Sequence, residues 1–168
     1  IIDFGVAMPL EEAAMYEKPF EYVREHVKPR RKGGKEWWLF ARPRPAMREA
    51  LSPLSCYIVT PRHAKHRVFA YVDLEVVPDS ALVVIARDDD YFFGVLQSSI
   101  HELWARKKGT QLREAESGFR YSKTLTFETF PFPWPPGQEP QGDTRVETIA
   151  QVARELVEKR DRWLNPEG

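Results

Sequence analysis

Residues 81–107, ALVVIARDDDYFFGVLQSSIHELWARK, decide the fold class. Ala81–Ala86 follows the Pro78-Asp79 turn and has the β-branched, apolar character of a strand. Asp88-Asp89-Asp90 then supplies an N-cap and first-turn carboxylates, which satisfy free backbone N–H groups and complement the helix dipole. The spacing predicts a single helix from Tyr91 to Lys107, with Phe92, Leu96, Ile100, Leu103 and Trp104 on one stripe and Gly109 ending it. A strand feeding directly into a helix of this length calls for a sheet covered by helices.

Reading upstream, Cys56–Thr60 and Val68–Val72 are two further strands, joined by Pro61-Arg62-His63-Ala64-Lys65-His66-Arg67. A short helix from Pro45 to Leu51 precedes them, with proline at its first position, where a missing N–H costs nothing. Phe20–Val27 forms another, presenting Phe20, Val23 and Val27 on one face, and Pro19 is expected to separate it from a helix begun at Pro9-Leu10. Ile1-Ile2-Asp3-Phe4 reads as a strand continuing from a larger parent protein. Downstream, Phe119–Pro136 is extended and aromatic, suited to edge strands or a clamp over the core, and Pro135–Gly142 reads as a linker. Thr144-Arg145-Val146-Glu147 has capping-box form and opens a last helix whose Val146, Ile149, Val152, Leu156 and Trp163 face one way. The fold class is therefore α+β: a mixed β-sheet with packed helices and a long C-terminal amphipathic helix.

Charge is distributed unevenly although the net charge is zero. Between Lys28 and Arg67 eleven Lys and Arg face only Glu36 and Glu49, while the flanking segments are acidic. Lys28–Lys35 reads as a flexible basic loop and the 61–67 loop as a basic connection between strands. With Arg42 and Arg44, the 61–67 loop offers guanidinium forks for phosphates or guanine edges, and His66 can donate to either. The lone Cys56 excludes an intramolecular disulfide and suits a reducing cytoplasm. No apolar run approaches the roughly 18 residues of a membrane span.

The residues offer no catalytic centre. His63 and His66, with His101 and Cys56, lack the paired ligands of a zinc site. Ser98, His101 and Glu102 fall at helical spacing on the stripe that runs into Trp104, which indicates a packed, hydrogen-bonding histidine rather than a nucleophile's base. Asp79 and Asp88–Asp90 are accounted for as turn and N-cap residues. The sequence has no glycine-rich strand-to-helix loop and no Asn/Asp-Pro-Pro-Tyr segment, and Asn165-Pro166-Glu167 is not that motif.

Ordered motifs add a family likeness. Ile1–Gly5, Glu12-Ala13-Ala14, Pro19-Phe20, Trp37–Pro45, Tyr57-Ile58, Lys65–Phe69, Gly94–Ser98 through His101 and Trp104, Arg120-Tyr121 and Thr126–Pro133 together resemble the target recognition domain of MmeI-like type II restriction-modification enzymes. The second half is also similar to the recognition domains of type I specificity subunits.

The resemblance implies that the chain binds double-stranded DNA. It would serve an N6-adenine methyltransferase, whose upstream domain in the same polypeptide uses S-adenosylmethionine. On that basis 1–27 would be the connector from the methyltransferase domain, 28–136 the recognition domain and 143–164 a C-terminal helix. The DNA contacts it implies are Arg42, Arg44, Lys65, His66 and Arg67, joined by Arg62 of the same loop and by Arg120 and Lys123. Arg42 and Arg44 have a competing role, pinning the domain to a neighbour's carboxylates. Gly94, Leu96, Trp104, Phe130 and Phe132 are assigned to packing. Arg31–Lys35 is shorter than the basic loop of that family. A module docking a methyltransferase or restriction subunit through the aromatic-proline segment and the last helix is the alternative.

Overall fold

Strand β1 (Cys56–Pro61) is buried continuously from Tyr57 to Thr60, so it lies in the middle of its sheet. In the computed structural model, which describes residues 1–31, 34–111 and 118–166, β1 pairs with β3 (Ala70–Asp73) on one side and β4 (Leu82–Ile85) on the other, both antiparallel. The register sets Ile58 opposite both Tyr71 and Ile85. A second antiparallel sheet is made of three two-residue strands in the order β2 (His63–Ala64), β6 (Phe119–Arg120), β5 (Thr110–Gln111). The chain divides into two compact units, Ile1–Ala50 and Leu51–Gly168, and both sheets belong to the second. The α+β class read from the sequence holds, with every strand pairing among the described residues antiparallel.

The expected helix from Tyr91 to Lys107 is instead two, α4 (Asp90–Gln97) and α5 (Ser99–Lys108). Ser98 is extended, with ψ 151°. Its hydroxyl donates to the Val95 carbonyl (2.7 Å) and accepts from the His101 N–H (3.2 Å), so one side chain ends α4 and caps α5. The bend leaves Ile100 72% and Leu103 57% exposed, off the stripe that a straight helix would bury. Asp89 caps α4 by accepting from the Phe92 N–H at 2.8 Å, as its position suggested.

The last helix, α6 (Thr144–Leu164), is capped by Asp143, which accepts from the Arg145 N–H, and not by Thr144. Its inward face carries Val146, Ile149, Ala150, Ala153, Val157 and Arg160, whereas Val152, Leu156 and Trp163 point outward. Small residues set this rotation. A Cβ built on Gly94 of α4 would stand 2.8 Å from Ile149 Cγ2 and 3.2 Å from Ala153 Cβ, so Ile149 and Ala153 of α6 pack into the space that the missing side chain leaves. Gly94→Ala is expected to force a shift of Ile149 and lower unfolding stability by about 1–2 kcal/mol, measurable by urea denaturation. Arg160 closes the contact by donating to the Phe69 carbonyl at 2.8 Å.

The core of this unit comprises Ile58, Phe69, Ile85, Phe92, Phe93, Leu96, Ala105, Tyr121 and Ala153. Beyond β6 the aromatic-proline segment forms one π-helical turn, Lys123–Phe127, and then runs as an irregular clamp, not as edge strands. Phe132 stacks on Phe92 (centroids 5.1 Å apart) and Phe130 meets the His101 ring edge-on (4.6 Å). Residues 135–142 do more than link, since Glu139 accepts from Arg87 (3.1 Å) and from the Gly137 N–H.

The first unit contains α1 (Leu10–Ala14), α2 (Glu17–His26), a 3-10 turn at Lys28–Arg30, and most of α3 (Pro45–Leu51). Pro19 sits in the first turn of α2, where no N–H is required, and the break falls at Met15-Tyr16. Ile1–Phe4 is irregular rather than a strand. Its Asp3 carboxylate is held by Arg48 at 2.7 Å. Phe4, Ala13, Phe20, Val23 and Leu39 form the core, and the Trp38 indole N–H donates to the Met8 carbonyl at 2.8 Å. Of the basic loop expected at 28–35, Lys32 and Gly33 lie outside the described residues. Among the described residues no helix is long and apolar enough to cross a membrane.

Candidate functional site

The 61–67 loop is the place where the chain passes from one sheet to the other. Arg62 makes the junction: its N–H donates to the Ala81 carbonyl (2.7 Å) and its carbonyl accepts from the Tyr121 N–H (2.8 Å). The next two residues form β2, pairing His63 with Arg120 and Ala64 with Phe119. On β6's other side Arg120 is paired with Thr110, so His63, Arg120 and Thr110 make a cross-strand row, and all three are exposed. Lys65 and His66 follow at the turn, both exposed.

Residue Gly118 brings β6 this close. It is buried with φ +76°, and a Cβ there would lie 2.2 Å from the Ala64 carbonyl carbon and oxygen. No local sequence pattern marks this glycine.

Arg67 turns inward. Its guanidinium donates to the Thr60 hydroxyl (3.2 Å), the Pro61 carbonyl and the Phe119 carbonyl (2.9 Å), and lies 5.0 Å over the Tyr121 ring. Burial lowers its pKa from the ordinary guanidinium value. These contacts tie β1 to β6, so Arg67 braces the loop. Thr60 is fully buried and donates onward to the Val68 carbonyl at 2.8 Å.

Behind the brace lies a buried relay. The His101 Nδ1–H donates to the Leu96 carbonyl (2.8 Å), which leaves Nε2 to accept from the Tyr121 hydroxyl (3.1 Å). Burial, opposed by the Leu96 carbonyl and aided by the charge of Arg67, pushes the His101 pKa down to about 4. Burial raises that of Tyr121, partly offset by Arg67. The packed, hydrogen-bonding histidine read from the helical spacing is what the structure contains.

Of the remaining predicted residues, Arg120 is in the exposed row and Lys123, also exposed, pairs with Glu128 at 3.5 Å. The structure thus brings Arg62, Lys65, His66, Arg67, Arg120 and Lys123 into one region of the second unit. Arg42 and Arg44 are exposed residues of the first unit. Arg44 has φ +54°, a left-handed conformation that costs a side-chain-bearing residue roughly 1–2 kcal/mol. Its carbonyl accepts from the Arg48 N–H, so this turn opens α3. Among the described residues no group of three His, Cys, Asp or Glu is placed to hold a metal ion. What the region can do chemically is donate hydrogen bonds and positive charge to an anion.

Comparison with known proteins adds two findings. The sequence model described as MmeI, target recognition domain, matches residues 22–134. Among solved structures, the chain is similar to that of the type IIL restriction-modification enzyme MmeI in complex with DNA, with a TM-score of 0.58 and 22% identity. The match covers 95% of this chain and 20% of that one, so the chain spans about a fifth of its length, and at this identity the likeness is one of fold. No curated protein matches the chain.

Proposed function

Since the chain belongs to the MmeI target recognition domain family, we propose that it reads a DNA sequence on behalf of a restriction-modification enzyme. One observation carries this reading. Arg67 of the 61–67 loop spends its guanidinium on internal acceptors, while Lys65, His66 and, one strand away, Arg120 are exposed without an internal partner among the described residues. Lys65 and His66 would neutralise phosphates and set register, and the row on β2, β6 and β5 would face the groove. Arg42 and Arg44 would add contacts from the first unit.

The parent protein would be an N6-adenine methyltransferase. Its catalytic domain, upstream in the same polypeptide, would hold S-adenosylmethionine, because this sequence has no glycine-rich strand-to-helix loop for it. Adenine N6 is reached only when the base leaves the stack, so the recognition domain would also clamp the duplex while the base is flipped.

The reading is tested by titrating salt against duplex binding by the chain. Each phosphate neutralised contributes a slope of about 0.9 in log affinity against log salt. A slope of roughly 2–4 is expected from Lys65, His66, Arg120 and the first-unit arginines. A slope of zero would exclude the proposed interface.

A further inference from the structure

Resting on that DNA-recognition reading, we propose that Arg62 is a specificity-determining residue: it reads a guanine edge in the major groove, while its neighbours hold phosphates.

The contrast between arginines carries the inference. Four arginines of the second unit are half-buried among the described residues: Arg62, Arg67, Arg87 and Arg160. Arg67 donates to three oxygens, Arg87 pairs with Asp89 and Glu139, and Arg160 donates to the Phe69 carbonyl. Arg62 alone has no hydrogen bond or ion pair from its side chain among the described residues, and its Nε is shielded from solvent with no acceptor. A half-exposed guanidinium with no acceptor inside the protein keeps its outward N–H groups for an acceptor that arrives from outside.

Rigidity selects the acceptor. The Arg62 backbone is hydrogen-bonded on both sides, to Ala81 and Tyr121, and the preceding Pro61 carbonyl is clamped by Arg67. A guanidinium carried on such a base starts from a fixed backbone, so only side-chain freedom is lost on binding. Guanine presents O6 and N7 at the spacing of the guanidinium fork, and a bidentate pair there discriminates between bases. Lys65 and His66, exposed on the turn, have the reach and freedom suited to phosphate, whose position varies little with sequence.

The test selects duplexes from a randomised pool with the full wild-type chain, with Arg62→Lys and with Arg62→Ala, and repeats the salt titration on the best duplex. Thermal melting of each variant checks that it is folded. The wild type is expected to enrich a motif containing a G·C pair at which both variants lose preference by about 5- to 150-fold. Preferences at other positions and the salt slope should stay as in the wild type. A uniform loss of affinity over all duplexes, with the slope reduced by about 0.9, would make Arg62 a phosphate contact and overturn the proposal. Unchanged selection by folded Arg62→Lys and Arg62→Ala would overturn it too. A wild-type chain that enriches no sequence and shows no salt dependence would instead overturn the DNA-recognition reading on which it rests.

Discussion

Replacing Gly118 by valine is expected to open the sheet of β2, β6 and β5 and lower the melting temperature by roughly ten degrees, the largest effect foreseen for a single substitution. Two penalties act together. A β-branched residue at φ +76° incurs roughly 1–2 kcal/mol from its own backbone conformation. Its Cβ would also collide with backbone, at 2.2 Å from the Ala64 carbonyl and 2.4 Å from the Lys65 nitrogen, and backbone atoms cannot rotate out of the way. Relief requires β6 to separate from β2, which breaks the His63–Arg120 and Ala64–Phe119 pairings and draws the Phe119 carbonyl away from Arg67. The combined cost is about 4 kcal/mol, and a domain of this size loses roughly 2–4 degrees per kcal/mol. Gly34→Val is the control, because no atom lies within 4 Å of a Cβ there and its φ is not in the left-handed region. Melting curves and duplex binding should separate the two variants. A Gly118→Val protein that melts with the wild type would refute the geometry.

The same glycine shows why the site was only half legible in the sequence. The excess of Lys and Arg around residues 61–67 is a compositional fact, and it located the basic loop correctly. Which arginine turns inward is not compositional. Arg67 and Arg62 are the same residue five positions apart, and Arg67 is paired because Phe119, 52 residues further on, delivers a carbonyl to it. That delivery depends on the close approach at Gly118. Helix rotation followed the same logic. The apolar arc of α6 is broad enough to bury either Val152 and Leu156 or Ala153 and Val157, and the choice fell on the small residues because Gly94 admits them. By contrast, α3 is legible to both its ends, since a proline at the first helical position and the turn-forming Ser52-Pro53 after its end are local signals. So was the heart of β1, whose consecutive Tyr57, Ile58 and Val59 need no distant partner to favour a strand. The split at Ser98 lies between these cases. Serine caps and serine inside a helix look alike in one dimension, and only the exposure of Ile100 and Leu103 reveals that the stripe stopped.

Stability should fall by roughly 3 kcal/mol as the pH drops from 6.5 to 4, through His101 alone. Burial holds this imidazole neutral in the folded protein and lowers its pKa from 6.5 to about 4. Within that window the unfolded chain takes up a proton that the folded chain refuses, so acid favours unfolding; above 6.5 neither state is protonated and the full stability is present. The shift of about 2.5, at 1.36 kcal/mol each, sets the size. Proton uptake would also place a positive charge beside Arg67 and turn Nε2 from the acceptor of the Tyr121 hydroxyl into a donor. His101→Gln isolates this contribution, because the carboxylates and the other histidines titrate alike in both proteins and cancel in the difference. At pH 7.5 the variant is expected to be less stable by about 1–3 kcal/mol, having lost the ring contacts with Phe69 and Phe130. Near pH 4 the gap should close by roughly 3 kcal/mol in urea unfolding followed at a series of pH values. If the gap is the same at both ends of the series, His101 is not the buried neutral link between α5 and Tyr121, and the brace under the basic loop must be held by Arg67 and Thr60 without it.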